Sequence, residues 1–338
     1  MRLSVLDQSP IRAGCTPADA VRESVELARV CDRLGYHRYW LAEHHASAGL
    51  AGAAPEILIG HIAQATRHIR VGSGGVMLNH YSALKVAECF RMLETLHPGR
   101  IDLGLGRAPG SDQRTMQVLR AGPGSAPVDY YPRQVLDTIG FLNDALEPGH
   151  PFFGIEAQPK GPTAPEVWLL GSSADSASYA AHFGLPFSFA HFIAPRGGDQ
   201  VTAAYRQAFR PSDYCPAPMT SVGVFALAAD TDERAQYLVK SRNLWLVRLM
   251  KGELAPFPTP EEADAYDYGP HDLAILEANR GRSIAGDAAA VRSQLMALAE
   301  RYGTDELVIV TISHDFDARV RSYELLAEAF GLTARAAA

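Results

Sequence analysis

The residues of this chain best suited to chemistry are single polar groups that follow short apolar runs. They are Asp7 and Ser9, Glu43-His44-His45, Asn79-His80, Arg107, Ser172-Ser173, His191 and His314-Asp315. Histidines and carboxylates in such numbers suit either metal ligation or proton transfer. Metal ligation is disfavoured, because adjacent residues on a strand point to opposite faces and there is no HxH or HExxH to put two imidazoles on one side. Proton transfer stays open for any of them, because an imidazole ordinarily titrates near neutrality.

Two stretches suit anion binding. Gly104-Leu105-Gly106-Arg107-Ala108-Pro109-Gly110 begins like a dinucleotide fingerprint, but Pro109 takes the last glycine position and no regular helix is expected there. It reads instead as a strand of small residues against which a flat ring can lie, followed by Arg107. That arginine serves equally as a planar cation for a phosphate or as half of a surface ion pair. Gly171-Ser172-Ser173-Ala174-Asp175-Ser176 precedes a helix, where hydroxyls and free amides either hold an anion or simply cap the helix. Ser73-Gly74-Gly75 interrupts a strand and predicts a bulge or a close ligand approach.

These groups need a scaffold that gathers them, and the chain predicts one by alternation. Strands are expected at Leu3–Leu6, Arg38–Ala42, Ile69–Leu78, Ile101–Leu105, Glu166–Leu170, Pro186–Ala190, Ser221–Ala228 and Glu306–Ile312. Helices are expected from Pro17 to a stop at Gly35, and at Pro55–Thr66, Ser82–Leu96, Pro132–Leu146, Ala174–Phe183, Gln200–Phe209, Asp232–Met250 and Phe316–Phe330. Ala121–Pro127 reads as a Gly/Pro-rich loop. Eight strand–helix units in series predict an α/β fold, a (β/α)8 TIM barrel with an insertion before the last strand. Residues 1–338 then form a single barrel domain, and the proline- and acid-rich segment 252–283 is an insertion near the mouth that serves as a lid. In such a barrel the loops after the strands build the site, so the scattered polar groups would share one rim.

Composition narrows the class. The 338 residues are 47% hydrophobic with a net charge of -7 and no basic stripe, which argues against a nucleic-acid partner. Cys15, Cys31, Cys89 and Cys215 are too scattered for a disulfide framework or a zinc knuckle, a reduced, cytoplasmic pattern. No apolar run approaches membrane-spanning length, so no membrane partner is expected.

The motifs together resemble the bacterial luciferase-like flavin-dependent monooxygenases, in particular the single-polypeptide branch related to luciferase alpha chains. The resemblance is carried by Ala42-Glu43-His44-His45, residues 71–78 (VGSGGVML), Lys85-Val86-Ala87-Glu88, residues 98–110 (PGRIDLGLGRAPG) and Gly184-Leu185-Pro186, in the family's order. It implies a barrel that takes reduced FMN from a separate NAD(P)H-dependent flavin reductase, adds O2 to give a flavin hydroperoxide, and oxygenates a small or medium organic substrate. It implies His44 as catalytic acid/base, with Arg107, Ser172, Ser173 and Ser176 on the phosphate. Gly74 and Gly75 would lie against the ring with a non-proline cis peptide, Asn79 would sit near its edge, and His191 would replace a ring-facing aromatic. Gly106 stands in place of the luciferase alpha chain's reactive cysteine, so light emission is not implied. A homodimer is implied, and no metal. Two other readings stand beside it: a deazaflavin-dependent hydride-transfer oxidoreductase of the same fold, and a non-catalytic flavin-binding protein.

Overall fold

The computed structural model describes residues 1–108, 110–120 and 128–334. Pro109 and the expected loop Ala121–Pro127 lie outside the described residues. Nine strands form one parallel sheet: β1 (Arg2–Asp7), β2 (Arg38–Leu41), β3 (Arg70–Met77), β4 (Ile101–Gly106), β5 (Glu166–Gly171), β6 (Phe187–Ala190), β7 (Thr220–Ala229), β8 (Ser283–Asp287) and β9 (Glu306–Val310). β1 through β6 pair in sequence, β6 pairs with β7, β7 with β9, and β9 returns to β1. The result is the expected closed eight-stranded α/β barrel, with β8 as an additional strand outside the ring.

The ring is wrapped by α1 (Pro17–Leu34), α2 (Pro55–Ala65), α3 (Ala83–Leu96), α4 (Gln113–Leu119), α5 (Tyr131–Leu142), α6 (Ala174–Phe183), α7 (Gly198–Ala208), α8 (Asp232–Met250), α9 (Pro260–Ala265), α10 (Pro270–Asn279), α11 (Ala288–Tyr302) and α12 (Phe316–Phe330). Local chemistry sets the ends of α1: Thr16 and Asp19 form a reciprocal capping box, Pro17 occupies the first turn, and Gly35 closes the helix at φ 88°. None of the described helices is long and apolar enough to cross a membrane.

The two-residue period of the strands divides the core into two layers. Along β9, Leu307 and Ile309 pack outward under the helices, while Val308 and Val310 join Leu6, Trp40, Trp168 and Phe225 in a separate inner cluster. Trp40 and Trp168 meet edge to face at 5.4 Å inside the barrel.

Four features depart from the sequence expectation. β8 and α11 are not predicted by the alternation, because the strand SIAGD is short, half-buried and has one strong β-former. It is stabilised by pairing with the C-terminal half of the long β7, from Phe225 to Ala229. The helix expected to reach Leu146 ends at Leu142, capped by Asn143, with Asp144 turned to φ 54°. A short helix, α4, opens soon after Gly110, because Asp112 accepts a hydrogen bond from the Thr115 amide at 2.9 Å. The segment 252–283 is largely helical, comprising α9, α10 and a 3-10 turn at Arg280–Arg282.

Candidate active site

At the C-terminal end of β2 the chain turns, so Glu43, His44 and His45 have separate environments. Glu43 is buried and saturated: Oε1 accepts from Tyr81 Oη at 2.8 Å and meets His45 Nε2 at 2.6 Å, and Oε2 accepts from the Met77 amide at 3.0 Å. His45 thus braces the loop. His44 is held by its own amide, which donates to the Gly52 carbonyl at 2.8 Å, while its ring makes no hydrogen bond to any described residue and Nδ1 is buried. Burial first, then the neighbouring His45, pull its pKa down to about 4. At neutral pH it is an uncharged imidazole.

The Gly74–Gly75 peptide is cis, and the β3–β4 register shifts between Gly74 and Val76. Strand packing itself requires glycine here. A Cβ on Gly75 would lie 2.6 Å from the Gly104 carbonyl oxygen and from Leu170, and one on Gly74 would lie 2.5 Å from Leu6.

A polar chain runs over the ends of β3, β4 and β5. Asn79 donates from Nδ2 to the Arg107 carbonyl at 2.8 Å, and its buried Oδ1 has no donor. Arg107 pairs with Asp175, in the first turn of α6, at 3.2 Å. Ser173 caps that helix by accepting from the Ser176 amide at 3.4 Å, Ser176 is buried, and Ser172 is half-buried. A guanidinium beside hydroxyls and helix N-terminal amides is a donor set suited to a phosphate. Of the two sequence readings of Arg107, the structure shows the ion pair, with the exposed Asp175 as its partner.

His191, expected beside the ring, has both nitrogens engaged. Nδ1 meets Tyr302 Oη at 2.9 Å and Nε2 meets the Gly281 carbonyl at 3.1 Å, so both nitrogens tie β6 to α11 and to the end of the 252–283 segment. Asp7 and His314 are also committed elsewhere, Asp7 to Arg319 at 2.7 Å and His314 to the Ala13 carbonyl at 3.0 Å.

Beside His44 opens a cavity of about 670 Å³, walled by Leu50, Phe192, Phe225, Trp245, Leu246 and Leu249. Of the expected site residues, His44 lines it; Gly74, Gly75, Asn79, Arg107, the serines and His191 do not. Sequence reasoning missed two residues that do line it, Arg242 on α8 and Arg282 before β8. Arg242 had a signal: it stands at helical spacing from buried Ala235, Leu238 and Leu246, where a charged side chain is anomalous.

The profile of the luciferase-like monooxygenase family matches residues 1–306. The uncharacterized protein YceB of Bacillus subtilis (strain 168) is 45% identical over 330 residues, 98% of this chain and 99% of that one. The N-acetyl-S-alkylcysteine monooxygenase of the same organism is 38% identical over 337 residues, 97% of this chain and 98% of that one. Among solved structures, apo-MsnO8 superposes with a TM-score of 0.92 at 42% identity, covering 99% of both chains.

Proposed function

The chain belongs to the luciferase-like monooxygenase family, oxidoreductases of the monooxygenase kind, and from that premise we propose that it is an FMN-dependent enzyme that uses O2 to oxygenate a small or medium organic substrate. In this reading a separate NAD(P)H-dependent reductase supplies the reduced flavin. Bound reduced FMN supplies the electrons that activate O2. The observation that carries the reading is the polar chain from Asn79 through Arg107 to the N-terminus of α6, with one buried acceptor still lacking a donor, on the same rim as an unpartnered neutral histidine.

Arg107 would hold the phosphate in place of Asp175, and the Ser172, Ser173 and Ser176 region would add hydroxyl and amide donors. Asn79 Oδ1 would be free to accept from a ring donor, and the Gly74–Gly75 backbone would offer a flat surface. His44 holds or takes a proton beside the reacting atoms. The apolar walls of the cavity exclude water, with the 252–283 segment as one of them. His191 acts through its grip on Gly281. A relative named for N-acetyl-S-alkylcysteines supports a small organic substrate. A homodimer is part of the reading, supported by exposed Ile57 on α2 and exposed Met92 and Leu96 on α3; sedimentation velocity checks it.

The test is a parallel titration with FMN, anaerobically reduced FMN and a deazaflavin coenzyme. Preferential binding of reduced FMN is expected, followed by reductase-coupled O2 consumption. Binding of the deazaflavin alone turns the assignment to hydride transfer, and no flavin binding of any kind sinks it.

A further inference from the structure

Among the described residues, the buried arginines are paired with acceptors, with one exception. Arg38 has Asp102 at 2.8 Å and Glu306 at 3.0 Å, Arg319 has Asp7 at 2.7 Å, and Arg91 donates to the Phe141 and Leu142 carbonyls at 2.9 and 2.7 Å. Arg242 is only 6% exposed, yet it makes no ion pair and no hydrogen bond to any described residue. Its guanidinium lies 4.0 Å from the centre of the Phe225 ring, which covers one face and leaves the in-plane N–H donors unused. Arg282 lines the same cavity, and its Nε is buried without a partner.

Two guanidiniums without a carboxylate partner on one apolar cavity form a donor set suited to an anion. Burial, then Arg282, lower Arg242 to a pKa of about 10, so it still carries its charge at neutral pH. Asp112 is the only carboxylate among the described residues of the lining, and it caps α4. In the adjoining cleft that also touches Arg242, Glu277 is paired with Arg280 at 2.8 Å. Around the ring, Arg242 and Arg282 follow β7 and precede β8, three strands from β2, which precedes His44, and three from β4, which precedes Arg107.

We propose that this cavity takes an organic acid, whose carboxylate is held by Arg242 and Arg282 while its apolar body lies along Phe192, Phe225, Trp245 and Leu249 toward His44. The planar fork of an arginine matches the two oxygens of a carboxylate, and the apolar walls fit a carbon skeleton. This names the substrate class of the monooxygenase site and rests on that reading.

The test is calorimetric titration of the full chain with a series of phenylalkanoates of increasing length and their matched primary amides, for wild type, Arg242→Met and Arg282→Gln, with FMN titrated in parallel. The best carboxylate is expected to bind wild type at least about tenfold more tightly than its amide, a modest return for a charge-assisted pair. Each substitution should erase that preference and leave amide and FMN affinities unchanged. Arg282→Gln decides alone if Arg242→Met fails to fold. The proposal is overturned if no carboxylate is preferred by wild type, if the preference survives substitution, or if the variants weaken FMN instead, which would assign the arginines to the flavin. Loss of FMN binding by wild type with the carboxylate preference intact would overturn the flavin reading and leave the anion site standing.

Discussion

His44 and His45 are neighbours in sequence with opposite fates, because Glu43 reaches one ring and not the other. His44 loses hydration without gaining an acceptor, so its cation is disfavoured and its pKa falls from 6.5 to about 4. The unfolded chain therefore binds more protons than the folded one between these values, and the stability tied to His44 is full above pH 6.5 and is lost as pH falls toward 4. His37, His97 and His191 shift in the same direction, so the comparison must be made against a variant. Chemical denaturation of wild type and His44→Gln across this range should give a difference whose slope approaches about 1.4 kcal/mol per pH unit. Parallel curves would remove His44 as the titrating group. The same variant should keep FMN affinity and lose turnover.

At the scale of elements, the 252–283 segment is fixed to α8 by two kinds of contact. Phe257 is fully buried, stacks on Trp245 at a centroid distance of 4.4 Å, and exchanges backbone hydrogen bonds of 2.8 Å with the loop after β1. The acids of α9 meet cations of α8, Asp264 with Lys240 at 2.6 Å and Glu262 with Arg248 at 2.7 Å, near the surface. Screened pairs of that kind contribute at most about 1 kcal/mol each. Truncating a buried aromatic costs about 3–5 kcal/mol. Phe257→Ala should lower the melting temperature and expose the segment to limited proteolysis, while Lys240→Gln and Arg248→Gln should change little. The reverse order would mean that the ion pairs hold the wall.

At the scale of the whole barrel, the end opposite the site is closed by charge. Arg38 on β2 reaches Asp102 on β4, Glu166 on β5 at 2.9 Å and Glu306 on β9, and Trp40 Nε1 donates to Asp102 at 2.9 Å. Burial alone would raise the Asp102 carboxyl, but Arg38 and Arg70 outweigh it and hold it below its ordinary range. Its contribution to stability is therefore complete above pH 3.8 and is lost as pH falls further. Arg38→Met leaves buried carboxylates uncompensated, at a cost of about 3–5 kcal/mol. Acid unfolding followed by circular dichroism should move to higher pH in that variant, with FMN affinity retained. An unchanged midpoint would show that Arg70 suffices.

Local pattern determined much of this protein. The alternation of strands and helices specified a closed barrel, Thr16, Pro17 and Gly35 specified the ends of α1, and the polar residues after the strands marked the rim on which His44, Asn79, Arg107 and the Ser173 helix now stand. These are properties of adjacent residues, set by backbone geometry and by side-chain periodicity. Tertiary structure decided what depends on partners far along the chain. β8 exists because β7 offers it an edge, and His191 joins β6 to α11 because Tyr302 and Gly281 engage both its nitrogens. Gly75 is required by Gly104 on the next strand, and Arg242 and Arg282 meet at one cavity only when α8 and the turn before β8 are packed together. Whether a charged side chain finds a partner is set by distances through space, and periodicity along a sequence does not contain them.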